Sequence, residues 1–298
     1  MDGMVGRKSR ADQVFTVWVY LLLTLMGLMC LTPLWHIVAV SFSDRFSVTQ
    51  GSVGFWPVNF TLASYEMILS DQMYLRSFLV ALLRVAAGTA INMTVTVLTA
   101  YPLSMSRDEF PARNAYMYYT LFTWMFYGGV VAWFLAVKNV GLNGSFWALV
   151  IPTGLPIYNA IMVMNFFRNL PKEMREAAVI DGAGHITMLA RIYLPVSKAV
   201  LTTVCLYCVV NHWNDWFQAR LFINDNRWVP LATYLQSFNL DMSQLAKYDP
   251  TQAYLLDKLT GRSFNSAKIV IAMVPVMIVY PFLQRHFVKG VTLGAVKG

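Results

Sequence analysis

The sequence predicts an all-α integral membrane protein with six transmembrane helices in a single domain over residues 1–298. Of its 298 residues, 57% are hydrophobic and 13% charged, with a mean hydropathy of +0.50, whereas soluble domains carry about a quarter charged residues. The apolar residues gather into runs of about 20 or more, the length an α-helix needs to cross a hydrocarbon core of about 30 Å. One long polar, helix-favouring interval, 169–195, is flanked on both sides by such runs. The net charge of +8 does not point to nucleic acid, because Lys and Arg form no single stripe and the polar surface is small. They are explained by membrane orientation. Cys30, Cys205 and Cys208 all fall in apolar runs, so the C-x-x-C pair reads as packing, with no metal or redox role.

The spans follow in order. Residues 1–12 are polar, with Arg7, Lys8 and Arg10, and precede the first apolar run, 14–40, which is too long for a signal peptide and has no small-residue cleavage site. Residues 41–76, punctuated by Gly51, Gly54 and Pro57, read as a folded connection outside the bilayer, with Trp56 and Tyr65 as interfacial anchors. The second span, 77–104, carries Arg84 about two turns inside its first end, where a charge must snorkel, pair or face water. A tight turn through Arg107 and Arg113 leads to the third span, 115–137, in which Gly128-Gly129 marks a flexible or close-packing point. The fourth, 146–167, holds Pro152, Gly154 and Pro156, which should break or kink it. Irregular backbone at membrane depth survives only against protein or a water-filled cavity, so the stretch through Tyr158 and Asn159 is expected beside a translocation path.

The fifth span, 196–217, ends in Asn211-His212-Trp213-Asn214-Asp215-Trp216-Phe217. Polar groups that dense need partners, and Arg84, Tyr158, Asn159, Asn211, Asn214 and Asp215 are the candidate pathway-lining residues. His212 and Asp215 lie three apart on one helical face and could serve an intramembrane hydrolase as base and orienter. No G-x-S-x-G or H-E-x-x-H motif supplies the nucleophile or metal, so no catalytic residue is assigned. The interval 218–266, polar and rich in aromatics, is too long for a turn and should carry its own structure. The last span, 267–287, contains Pro275 and Pro281.

Within 169–195, Asn169 is a suitable N-cap, Pro171 an early-turn residue, and Gly182 a helix stop. A second helix fits 183–193, with Pro195 opposing its continuation. The product is a helix–turn–helix outside the membrane. Ala177 and Ala178 would let another protein approach the backbone closely, while Glu176 and Asp181 could meet basic groups.

The spacing Glu176-Ala177-Ala178, three residues, Gly182, nine residues, Ile192-x-Leu194-Pro195 resembles the EAA loop of permease subunits in binding-protein-dependent ABC importers. The segments 41–62 and 211–217 and the chain end resemble the carbohydrate-uptake branch, with its maltose-permease-like and lipo-oligosaccharide or polysaccharide permeases. The resemblance implies a type I importer permease fold. It makes 169–195 a coupling loop that inserts through Glu176, Ala177, Ala178, Asp181, Gly182, Ile192, Leu194 and Pro195 into a cleft of an ATPase subunit. It implies a second permease subunit, two ATPase subunits binding ATP and magnesium, and an extracytoplasmic solute-binding protein that meets the 218–266 loop. The chain end, through Lys297 and Gly298, would run along the ATPase interface.

Six spans put both termini on one side, and the short segments there carry 13 of the 23 Lys and Arg. The positive-inside rule places that side, with 169–195, in the cytoplasm of a bacterial inner membrane. No P-loop signature occurs, so energy must come from another subunit. The expected function is half of the translocation pathway for an oligosaccharide or polysaccharide, including an acidic glycan such as alginate. The alternative is an ion- or proton-coupled secondary transporter using Arg84, His212 and Asp215.

Overall fold

The computed structural model describes residues 10–237 and 261–295, and the regular elements among them are all helical. The chain divides into two compact units, 1–70 with 244–271, and 71–243 with 272–298.

In the first unit, α1 (Arg10–Ser41) is a 32-residue helix, about 48 Å long at 1.5 Å per residue. The consecutive Leu21, Leu22 and Leu23 are 56%, 55% and 57% exposed, so no face of this part of the helix is covered by the described residues, whereas its last turn, Ala39 to Ser41, is buried. An apolar surface on every side requires hydrocarbon or an apolar partner. The connection after it folds on itself. Asp44 caps the short α2 (Arg45–Thr49), accepting from the N–H groups of Phe46 and Ser47 at 3.1 and 3.4 Å. Phe42 stacks on Phe60 and Tyr65, and the Tyr65 hydroxyl bonds Ser41 at 2.8 Å. Tyr65 is thus a packing residue of this connection, whereas Trp56, 72% exposed and edge-on to Trp35, keeps the character of an anchor. Helix α3 spans Ala63–Ser70.

In the second unit, α4 (Gln72–Ser104) starts at Asp71, whose carboxylate accepts from Met73 and Tyr74 N–H. Val80, Arg84, Gly88, Asn92, Thr96 and Ala100, each four apart, form one buried stripe along it. Where the sequence suggests one span over 115–137, α5 (Arg113–Met125) and α6 (Gly129–Asn139) meet at 116°. Gly129, at φ +83°, cannot continue a right-handed helix. The fourth span is broken into 3₁₀ turns at Phe146–Leu149 and Ile151–Thr153, then α7 (Ile157–Arg168), inclined by 45°. Pro152, Gly154 and Pro156 account for the break.

Helix α8 (Lys172–Ile180) follows, and the sequence-based N-cap needs correction. Asn169 is the C-cap of α7, its N–H bonded to the carbonyls of Asn165 and Phe166, and α8 starts after an extended Pro171 with no side-chain cap. Helix α9 (His185–Val196) also runs past the stop expected at Tyr193. Its Leu189–Tyr193 segment widens into a π turn, which absorbs the donor missing at Pro195. The chain then turns by 85° at Ser197 into α10 (Lys198–Asn214), followed by α11 (Phe217–Phe222) and α12 over 231–237.

Helices α4, α7 and α10 share a core that includes Ala100, Val163, Met164, Phe167, Val204 and Cys208. The last helix, α13 (Arg262–Ala295), retains Pro275 and Pro281, and the Trp213 indole donates to the Ala272 carbonyl at 3.2 Å. Among the described residues, α1 and α4 are long and apolar enough to cross a membrane, and the count rises to five if each bent pair, 113–139, 146–168 and 185–214, is one span. Residues 238–260 of the expected external loop lie outside the described residues, as do Lys297 and Gly298.

Candidate functional site: a polar cavity and an exposed helix–turn–helix

Two places in the second unit carry polar groups that a membrane protein does not retain without use. The first is where α10 ends. Arg84, fully buried on α4, donates from Nε to the Leu149 carbonyl at 3.2 Å and from Nη1 to the Asp215 carbonyl at 2.6 Å. Its Nη2 reaches Asp215 Oδ2 at 2.5 Å and Gln218 Oε1 at 2.7 Å. Asp215 Oδ1 in turn accepts from the N–H groups of Phe217 and Gln218, at the start of α11. The Gln218 amide donates to the Ala148 carbonyl at 2.9 Å. Arg84 and Gln218 therefore satisfy carbonyls of the 3₁₀ turns that the prolines leave without helical partners. Snorkelling is excluded for Arg84: it pairs.

His212 and Asp215 do not form the base–orienter pair that their spacing allows. Asp215 is the extended C-cap of α10 and its carboxylate turns to Arg84, whereas His212 turns to Asn92. With its amide oxygen accepting from His212 Nε2 at 3.1 Å, Asn92 donates to the carbonyls of Thr153 at 3.2 Å and Gly88 at 3.1 Å. Gly88 is required at this crossing, since an added Cβ would overlap the His212 ring. We expect Gly88→Ala to destabilise the subunit by about 1–3 kcal/mol through overpacking, and Gly88→Ala with His212→Ala to recover part of that loss in thermal unfolding.

These groups border a cavity of about 870 Å³, whose wall also includes Trp124, Tyr127, Tyr158 and Tyr207. Arg84, Tyr158, Asn159, Asn211 and Asp215 line it as well, and Asn214 is exposed and outside its wall. Aromatic faces beside amides suit a ligand with apolar ring faces and hydroxyl edges. Asn92 and Gln218 were missed by the sequence reading. The four-residue spacing of Arg84, Gly88, Asn92 and Thr96 is the signal that could have found the first of them.

The second place is the helix–turn–helix of α8 and α9. Gly182, at φ +76°, ends α8 in a Schellman motif, its N–H bonded to the Val179 carbonyl and that of Ala183 to the Ala178 carbonyl. Gly182→Ala should cost about 1–2 kcal/mol of local stability, visible as faster proteolysis within 181–184. Glu176, Ala177, Asp181 and Gly182 are exposed, as is Pro195, while Ile192 and Leu194 are half-buried. Ala178 differs from its neighbour. It is 6% exposed and belongs to the core with Phe167, Met188 and Tyr193, so it faces its own subunit and cannot offer a close approach to another. Ile180 and Ile186, 84% and 85% exposed, make the outward face apolar instead. The Tyr101 hydroxyl meets His185 Nδ1 at 3.2 Å, and its ring packs edge-on to Tyr193, which ties α9 to the end of α4. The same helix, α4, carries Arg84 and Asn92 at the cavity.

A membrane subunit whose described elements are helical, with a polar cavity between its helices and an apolar-tipped helix–turn–helix packed on their ends, has the build of a transport permease. The chain belongs to the family of binding-protein-dependent transport system inner membrane components, whose family model matches residues 93–293. It is 37% identical over 290 residues to the protein LplC of Bacillus subtilis (strain 168), covering 97% of each chain. It is 34% identical to the polygalacturonan/rhamnogalacturonan transport system permease protein YtcP of the same organism, over 96% of this chain and 99% of that one. One chain in the crystal structure of a bacterial ABC transporter involved in the import of the acidic polysaccharide alginate superposes with a TM-score of 0.83 at 28% identity, covering 95% of this chain and 100% of that chain.

Proposed function

We propose that this permease forms one half of the pathway by which an ATP-driven importer takes up an oligosaccharide or polysaccharide fragment, with acidic glycans among its substrates. The observation that carries the reading is the pairing of an aromatic- and amide-lined cavity with relatives whose names specify polygalacturonan and alginate transport. A second permease subunit completes the pathway. ATP and magnesium bind to two ATPase subunits, not to this chain, and an extracytoplasmic solute-binding protein delivers the glycan. Both termini and α8–α9 lie in the cytoplasm, where Glu176, Ala177, Asp181 and Gly182, with Ile180 and Ile186 beside them, dock into the ATPase. Exposed isoleucines on a polar segment are supported best by a protein partner. The chain end through Lys297 and Gly298 follows the ATPase interface.

Movement of the ATPases would be carried by α9 to Tyr101 and along α4 to the cavity. Because Arg84 and Asp215 are committed to each other and to helix ends, they are not available as the ion-coupling groups of a secondary transporter. The test is gentle purification of the tagged chain from its native membrane, identification of its companions, and ATP hydrolysis with and without added binding protein. An ATPase subunit, a second permease and glycan-dependent stimulation are expected. Recovery of the chain alone, with uptake that collapses under an ionophore and ignores ATP, would overturn the reading.

A further inference from the structure

A second cavity, of about 740 Å³, lies beside the helix–turn–helix, walled by the end of α4, the 105–112 loop, and parts of α5, α7 and α8. Its charged groups are unequally satisfied. Arg175 pairs with Glu109, which also accepts from the Ser106 N–H at 3.1 Å. Arg113 and Arg168 are instead anchored by backbone: Nη1 of Arg113 donates to the Met105 carbonyl at 3.0 Å, and Nη2 of Arg168 to the Leu103 carbonyl at 2.8 Å. Those carbonyls are two residues apart, so two guanidiniums are held as neighbours, and neither forms an ion pair with a carboxylate among the described residues. Arg113 Nε is buried with no hydrogen-bond partner among the described residues. Lys172 joins the wall from the first turn of α8, a nine-residue helix whose N-terminus has no side-chain cap.

Neighbouring like charges, an orphan donor and an open helix N-terminus are all relieved by one kind of ligand, an anion with several acceptor oxygens. The charge of that anion is also constrained. With Arg175 and Glu109 committed to each other, Arg113, Arg168 and Lys172 face only the carboxylates of Asp108 and Glu176, an excess of one positive charge that suits a monoanion. A phosphodiester is such a group. The cavity lies at the C-terminal end of α4, a helix long and apolar enough to cross a membrane, and basic pockets at the ends of such helices take anionic lipids. We propose that this cavity binds the phosphate of an anionic phospholipid, with Arg113 and Arg168 on its oxygens and Lys172 beside them. A headgroup seated there would brace α8 against the 105–112 loop, and so set how firmly the helix–turn–helix is held.

The test is native mass spectrometry of the full-length chain, with whatever partners accompany it, titrated in mild detergent with phosphatidylglycerol, phosphatidylcholine or inorganic phosphate. One phosphatidylglycerol should be retained in preference to phosphatidylcholine, and its retention should be lost in the double variant Arg113→Gln/Arg168→Gln. Because those arginines also hold loop carbonyls, Lys172→Gln, at an exposed position, is the variant that folding cannot explain away. It should weaken binding roughly tenfold, the loss of about one charged hydrogen bond. Inorganic phosphate bound with the same residue dependence, in place of phosphatidylglycerol, would uphold the phosphate site and overturn the lipid as its source. Equal phosphatidylglycerol retention by wild type and all variants would overturn the proposal, whatever becomes of the importer reading.

Discussion

Arg84→Met is expected to reduce the stability of the folded subunit by about 3 kcal/mol, near the lower end of what breaking a buried ion pair costs. The lower end applies because the Asp215 side chain is 33% exposed and keeps some hydration, while that of Arg84 is 1% exposed. The loss exceeds a Coulomb term. Removing the guanidinium also leaves the Leu149 carbonyl, the Asp215 carbonyl and the Gln218 oxygen without their donor. The double variant Arg84→Met/Asp215→Leu removes the stranded carboxylate and should recover part of the loss, though not the orphaned carbonyls. Yield of monodisperse protein and its unfolding temperature read both effects. Wild-type stability in Arg84→Met would mean that this network does not hold the broken fourth span.

Ala177→Trp and Ala178→Trp should fail in different ways. At Ala177, which is exposed, a bulky side chain leaves the fold intact, and uptake should fall at least tenfold while the amount of inserted subunit stays unchanged. At Ala178, which sits in the core with Phe167, Met188 and Tyr193, the same change overpacks the interior and should reduce the inserted subunit itself. Immunoblots of membranes beside uptake assays separate the two. Normal uptake in Ala177→Trp would remove the exposed face of α8 from the coupling surface. Equal membrane levels of the two variants, with equal loss of uptake, would contradict the inward orientation of Ala178.

Much of this protein is legible in its sequence because hydrocarbon is an unforgiving solvent. A backbone that must satisfy its own hydrogen bonds there is either helical or part of a closed barrel, and apolar runs of about 20 residues, twice what a barrel strand needs, select the helix. The same reasoning located the break at Pro152 to Pro156, since proline lacks the donor a helix needs. Gly182 was legible as a stop because only glycine takes φ +76° without strain.

What sequence could not supply is which polar group meets which. Arg84 and Asp215 are 131 residues apart, and no local rule pairs them. The spacing of His212 and Asp215 suggested a pair on one helical face, but Asp215 leaves the helix at its C-cap and turns toward Arg84. Ala177 and Ala178 look alike in sequence, yet the 100° between successive residues of a helix sends one outward and the other into the core. The sequence by itself determined a helical membrane subunit, the break at Pro152 to Pro156 and the polar helix–turn–helix after it, because these follow from each segment's own solvation and backbone chemistry. Only the tertiary structure decided the partners of Arg84, Asn92 and Ala178, because those depend on how α4, α7 and α10 cross, and crossing is fixed by packing between segments distant in the chain.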